Sequence, residues 1–341
     1  MKIKNIKTEL KFIALKTPFI TALRRVDTIE FVRVTVECDN GFIGIGEAPA
    51  TKAITNEDVY DIMNSVWKIE EFLIEQSLAE SLYILHANCE IGSSAKASLD
   101  MAIVSLQAQT KKQKLFEYLG AKETIELKTD ITISYKKPHE MIESSRLALS
   151  NGMDILKIKV ADDIKHAIEV TKSISSLFPD ATLIIDANQA WNVEDSLNYI
   201  EAMKDVKIEL IEQPVIAQDI QGLKEITQKS HIAILADEAV FSLLDAKKVI
   251  ESKSADMINI KLMKCGGLTK AVEILEYARE MNVKCMLGSM LEGPYSINAA
   301  LHLAMAYPDV IAYIDLDSPL LYKEVSNELD FKFDGSEIQY I

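Results

Sequence analysis

Cysteine is scarce: the 341 residues contain four (Cys38, Cys89, Cys265 and Cys285), and no two of them form a C-x-x-C pair. That scatter excludes a zinc knuckle or a disulfide framework and leaves reduced thiols as the reading. Histidine is nearly as sparse. His86, His139, His166, His231 and His302 fall in helical patterns or near loops, so a zinc centre built on imidazoles is not expected. Clustered positive charge is missing too: 37 Lys and Arg stand against 52 Asp and Glu, a formal net charge of −15, with no basic block. This argues against a nucleic-acid partner. No stretch approaches the roughly 18 uninterrupted apolar residues of a membrane-spanning helix. Charge is mixed into every apolar run of MKIKNIKTELKFIALKTPF, unlike a secretory leader. The expectation is a cytoplasmic protein without a membrane partner.

What is present is ordinary in bulk, with 48% hydrophobic and 26% charged residues. The length accommodates a barrel of roughly 200–250 residues and one smaller domain. Residues 2–15 and 29–48 read as strands, with Asn40-Gly41 between two alternating runs as a hairpin signal. The intervening TPFITALRRVDT reads as a loop. Three helical patterns follow; in the last, Ser93 or Ser94 is placed to cap a helix carrying Leu99, Ile103 and Leu106. Residues 1–120 therefore form an α+β unit. From about 126 the pattern changes to strict strand–helix alternation, with eight strands and seven intervening helices. This predicts a (β/α)7β barrel over 121–317, a modified TIM barrel, with an α+β capping domain completed by the tail 318–341. The rival, an open doubly wound sheet, fits eight units less well.

Three successive barrel strands stop at an acid: TLIID at Asp186, IELIE at Glu212 and IAILAD at Asp237, spaced 26 and 25 residues apart. A lone aspartate at a strand end is commonly a helix cap. Three at neighbouring strand ends converge on one barrel mouth and repel unless a cation joins them. Hard oxygen ligands suit Mg²⁺. Lys157 and Lys159 in ILKIKV share a strand face. Periodicity does not say which face. They are either solvated at a fraying end or directed to the mouth, and helices covering the outside of a barrel favour the mouth. Lys261 ends MINIK, four strands further round and so across the barrel. Burial and nearby positive charge are expected to depress a lysine pKa and make the neutral base accessible. A divalent metal between opposed bases suits removal of the proton α to a carboxylate, because the metal stabilises the enediolate that forms. Two bases give racemisation or epimerisation; one gives dehydration or cycloisomerisation.

K-I-K, D-A-N-Q, E-Q-P, A-D-E and N-I-K-L-M-K-x-G-G, in this order, resemble the enolase superfamily and its muconate lactonizing enzyme subgroup over nearly the whole chain. The resemblance implies Asp186, Glu212 and Asp237 as Mg²⁺ ligands and Lys159 and Lys261 as the acid/base pair. It places Lys157 near the substrate carboxylate. Asn188 either supports the metal shell or is an ordinary turn asparagine. The histidine-base mandelate racemase branch is disfavoured. YIDLDSPL resembles the D-x-D of dipeptide epimerases, which makes Asp315 and Asp317 the holders of a dipeptide ammonium; otherwise they simply close a strand. Thr132 and Arg24 match positions used around the substrate, Arg24 either pairing a carboxylate side chain or lying solvated on its loop. Ser289, with Gly288 and Glu292, lines the exit of the seventh strand and is the one taken as a substrate contact.

The resulting expectation is a Mg²⁺-dependent dipeptide epimerase. It would invert the α-carbon of the C-terminal residue by two-base proton transfer through an enediolate, with L-Ala-D/L-Glu as a candidate substrate. The alternatives are an o-succinylbenzoate synthase or cycloisomerase of the same subgroup and, more remotely, a binding protein without turnover. The resemblance also leaves room for a homo-oligomer formed through exposed barrel helices.

Overall fold

The computed structural model describes residues 1–21 and 25–341. The N-terminal part is an antiparallel meander of β1 (Ile3–Ile20), β2 (Arg25–Cys38) and β3 (Ile43–Pro49). Gly41 turns the β2–β3 hairpin at φ +83°, the left-handed region that glycine enters without a steric cost. Within TPFITALRRVDT, the described residues 17–20 and 25–28 differ from the expected loop. After a register shift beyond Ala14, β1 and β2 go on pairing at Phe19–Val26 and Ile20–Arg25. The irregular pattern reflects a bulged ribbon, whose extra residues break the alternation that marks a strand.

The helix Ser93–Thr110 lies on β3, and two glycines permit the approach: a Cβ at Gly44 would stand 2.1 Å from Ala102 O, and one at Gly46 1.9 Å from Ser98 O. Its cap also departs from expectation. Gly92 occupies the cap position, and Glu57 from another segment accepts from Ser94 N (2.8 Å) and Ala95 N (3.2 Å). A remote carboxylate does the work expected of a local serine. The helix Val59–Leu73 buries Val59, Ile62, Val66, Ile69 and Leu73, a stripe at helical spacing, and starts at an Asp58–Asp61 capping box.

The run LKTDITIS divides into β4 (Leu127–Lys128) and β5 (Ile131–Ile133). Parallel pairing then runs through β6 (Ile155–Lys159), β7 (Thr182–Asp186), β8 (Leu210–Glu212), β9 (Ala233–Ala236), β10 (Met257–Lys261), β11 (Lys284–Gly288) and β12 (Ile311–Asp315). Seven crossovers, each containing a helix, join these eight strands into a nearly closed barrel. At the seam between β5 and β12, Asp130 N donates to Ile314 O (3.1 Å) and Leu316 N to Thr129 Oγ1 (3.0 Å).

Period-two alternation sorts the barrel side chains into layers. Leu156, Ile158, Leu183, Ile185 and Ile211 pack outward in the main core, against the helices. Ile184, Leu210, Leu235, Met257 and Met286 form a separate apolar cluster inside, joined by Ile155, Ala233 and Tyr313. One step of two residues further along, the inward positions become Lys157, Asp186, Glu212, Asp237, Asn259 and Asp315. The site therefore rests on an apolar floor.

The tail divides between the two parts of the molecule. Tyr322 bridges Leu15 of β1, and Glu328 pairs with Arg33 of β2 at 2.6 Å. The terminal hairpin of β13 (Phe331–Asp334) and β14 (Glu337–Tyr340) instead adds to β4, beside the starts of β5 and β6.

Candidate active site

The strand register sets the side chains of the mouth side by side. Lys159 lies opposite Asp186, Asp186 opposite Glu212, and Lys261 opposite Gly288, which lies opposite Asp315. Gly288 leaves room for its neighbour, since a Cβ there would meet Lys261 Cε at 3.0 Å and Asn259 Oδ1 at 2.8 Å.

Lysines and acids interdigitate. Lys159 Nζ donates to Asp186 Oδ2 at 2.5 Å, and Lys261 Nζ to Asp237 Oδ2 at 2.7 Å. Lys157 Nζ lies 2.6 Å from Asp315 Oδ2, 2.6 Å from Glu212 Oε2 and 3.3 Å from Asp186 Oδ2. Lys264 Nζ holds the other side of Asp237, at 2.6 Å from Oδ1 and 2.5 Å from the carbonyl. Asn259 Nδ2 donates to Glu212 Oε1 at 2.9 Å. Asp317 Oδ2 accepts from Thr132 N at 2.7 Å.

Burial and charge oppose one another throughout. Burial disfavours the charge on Lys157, but Asp315, Glu212 and Asp186 overcome this and hold its pKa well above the usual value. Lys261 shows the same contest, with Asp237 and Glu212 prevailing, so its pKa is raised rather than depressed as the sequence suggested. Among the acids, burial and then Asp186 push Glu212 up to about 7, and burial and then Asp237 push Glu238 up to about 8. Asp317 rises to about 6 through burial and the adjacent Asp315.

Seven buried carboxyls (Asp130, Asp186, Glu212, Asp237, Glu238, Asp315 and Asp317) thus surround four buried lysines (Lys157, Lys159, Lys261 and Lys264). Carboxyls outnumber amines, so a bound cation would take the place of the protons that burial favours on Glu212 and Glu238. Glu238 Oε2 is buried and accepts no hydrogen bond, whereas Glu212 Oε2 is ion-paired with Lys157 Nζ at 2.6 Å. An all-oxygen set with an idle buried oxygen on Glu238 fits a hard divalent ion. Among the described residues, however, the acidic trio whose oxygens approach within 4.8 Å of one another is Asp130, Asp315 and Asp317. The oxygens of Asp186, Glu212 and Asp237 are instead spread among lysines.

A cavity opens above this layer. Lys159, Asn188, Asp237, Lys261, Ser289, Asp315, Asp317 and Thr132 line it from the barrel, and Phe19, Thr21, Ala53 and Ile54 cover it from the N-terminal part. Two amines from opposite strands therefore share one chamber with a pair of acids. Residues 5–120 match the mandelate racemase / muconate lactonizing enzyme N-terminal domain, and residues 140–340 the enolase C-terminal domain-like family. The chain belongs to the mandelate racemase / muconate lactonizing enzyme family. It is 60% identical over 339 residues to an L-amino acid-D/L-Glu epimerase of Sulfurimonas denitrificans, covering 99% of each chain. It superposes at a TM-score of 0.96, with 38% identity and 100% and 97% coverage, on a substrate-liganded L-Ala-D/L-Glu epimerase of Bacillus subtilis. A dipeptide epimerase of Enterococcus faecalis, complexed with Mg and L-Leu-L-Tyr, superposes at 0.94 with 30% identity and 100% and 98% coverage.

In this member of the mandelate racemase / muconate lactonizing enzyme family, Lys159, Lys261, Asp237, Asn188, Thr132, Ser289, Asp315 and Asp317 meet at the cavity wall. Lys157 is wholly buried beneath it, as are Asp186 and Glu212. Asn188 stands at φ +44°, its N–H on Asp186 Oδ1 (2.9 Å) and its Nδ2 on Glu238 Oε1 (3.3 Å), so it is both a turn asparagine and a brace for two acids. Arg24 lies outside the described residues. Its neighbour Arg25 is exposed and engaged by Asp27 at 3.0 Å.

Sequence reasoning passed over Asn259, Lys264, Glu238 and Asp130. The first has a legible signal, sharing the inward face of MINIK with Lys261. Lys264 was visible in N-I-K-L-M-K, but its inward turn depends on the short helix Leu262–Cys265, which begins directly after β10.

Proposed function

We propose that this chain is a Mg²⁺-dependent dipeptide epimerase that inverts the α-carbon of the C-terminal residue. The observation that carries the proposal is the shared chamber, in which Lys159 and Lys261 approach from opposite strands and Asp315 and Asp317 stand at its edge. The relatives named as dipeptide epimerases support it across their full length.

Asp186, Glu212 and Asp237 would hold the metal. When bound, Mg²⁺ neutralises the substrate carboxylate and lowers the cost of the charge that α-proton removal creates. The protein supplies the rest. Lys159 and Lys261, on opposite faces of the bound residue, take the α-proton from one side and return one on the other. Asp237 and Asp186, now engaged with these amines, would transfer their oxygens to the cation and leave the lysines free to act. Lys157 and Lys264 remain as fixed counter-charges. Asp315 and Asp317 pair with the dipeptide ammonium, which sets the substrate's direction in the chamber. The ribbon of β1 and β2 excludes water from above through Phe19. A glutamate at the inverted position is favoured by the names of the relatives from Sulfurimonas denitrificans and Bacillus subtilis.

Incubation of L-Ala-L-Glu with the protein and Mg²⁺ in D₂O tests this. Deuterium should enter the α-position of glutamate while the L,D epimer accumulates. Absence of exchange across a broad dipeptide panel would reject the proposal. A cycloisomerase or o-succinylbenzoate synthase needs no ammonium site, so in that case Asp315→Asn and Asp317→Asn would be nearly silent.

A further inference from the structure

Asp130 is an acid in an apolar layer. It lies two residues before Thr132, which pairs with Lys157, so it points inward at the level where other strands place Ile184, Leu210, Leu235 and Met286. It is 1% exposed, and both its carboxyl oxygens lack a hydrogen-bond partner. A buried carboxyl without any donor is costly and calls for a reason. Oxygens of Asp130, Asp315 and Asp317 lie within 4.8 Å of one another, and Lys157, the nearby cation, is spent on Asp315 and Glu212. Asp130 does not reach the cavity; it stands behind the two acids that do.

We propose that Asp130 sets the preference of this pocket for a free ammonium over an acylated amine, acting as a positioning residue through Asp315 and Asp317. The inference rests on the dipeptide reading above and extends it to the class of amine accepted. The groups facing Asp130 are Asp315 and Asp317 from the β12 end and Lys157 from β6. Burial and then Asp315 raise its pKa well above the usual carboxyl value, which favours the protonated form in the empty pocket and spares the cluster a third negative charge. Arrival of an ammonium reverses the balance. Asp130 releases its proton to solvent, and three carboxylates instead of two then face the positive charge. An N-acylated dipeptide brings no such charge, leaves Asp130 neutral, and meets only acceptors unsuited to its carbonyl.

The test compares wild type with Asp130→Asn, which keeps the volume and an N–H toward Asp315 but has no proton to release. KM for L-Ala-L-Glu at about pH 8 should rise about tenfold or more, with kcat little changed. The wild-type KM should fall as pH rises, and this dependence should flatten in the variant. Inhibition by N-acetyl-L-Ala-L-Glu should be equal in the two proteins. Calorimetric titration in buffers of different ionisation heat should show about one proton fewer released on dipeptide binding by the variant. If the asparagine variant fails to fold, Asp130→Ser serves the same comparison. Unchanged KM and proton release would overturn the proposal, as would equal weakening of the free and acylated dipeptides. A wild type that turns over no dipeptide would overturn this proposal and the parent reading together; an active wild type with a silent Asp130→Asn overturns this one alone.

Discussion

Lys159 and Lys261 are each held by an acid that is also a candidate metal ligand, Asp186 and Asp237. Their separate roles are open to a simple dissection. Lys159→Ala and Lys261→Ala should each lower epimerisation by about 10²–10⁴-fold. Each variant should still exchange the α-hydrogen of one epimer with D₂O while failing on the other, because one base survives on one face. Loss of exchange from both epimers in both variants would contradict a two-base arrangement. Asp315→Asn and Asp317→Asn should act differently, weakening the dipeptide by about tenfold or more through KM, the scale of one charge-assisted contact.

The acids and lysines at strand ends were legible because a charged residue ending an apolar run has one outlet in a barrel. The inward face of Lys157 and Lys159 was not legible: ILKIKV separates a lysine-bearing face from an apolar one, but a barrel buries both faces, so the contrast does not say which one turns inward. Asp130 was hidden for a related reason: TDITIS alternates polar and apolar side chains, but which side turns inward is set by pairing with β6 and β12. The lysine pKa values depend on how many acids close around each amine, which is a property of the assembled mouth and of no local segment.

At the scale of elements, glycine decides two close approaches. Gly46→Ala would drive a methyl to 1.9 Å from Ser98 O, forcing the helix Ser93–Thr110 off β3. A loss of about 1–3 kcal/mol in unfolding free energy is expected, measurable by denaturant titration. Gly288→Ala crowds Asn259 and Lys261, so its loss of turnover should exceed its loss of stability. The eight strands and seven helix-bearing crossovers followed from the alternation of the sequence. The pairing of Phe19–Ile20 with Arg25–Val26 did not, because a bulge erases the two-residue period. The cap of the helix Ser93–Thr110 did not either, because Glu57 arrives from 37 residues away.

Across the whole molecule, the capping domain and the barrel are joined by buried charge. Glu47 of β3 is fully buried, accepts from Tyr295 N at 2.9 Å and pairs with Arg33, which reaches Glu328 of the tail. Removing it leaves Arg33 half paired and Tyr295 N without its acceptor. Glu47→Ala should therefore cost about 2–4 kcal/mol, read as a lowered melting temperature. The same geometry makes the capping domain part of the chamber, since Phe19 and Ile54 cover the acids and lysines of the barrel.

The most direct measurement is α-hydrogen exchange of L-Ala-L-Glu in D₂O, followed by mass spectrometry and chiral analysis, with Mg²⁺ present and after its removal by a chelator. Deuterium confined to the glutamate α-carbon, formation of the L,D epimer, loss of both on chelation and recovery when Mg²⁺ is restored are predicted. Exchange that persists without the metal, or no exchange while Mg²⁺ is bound, would contradict the account.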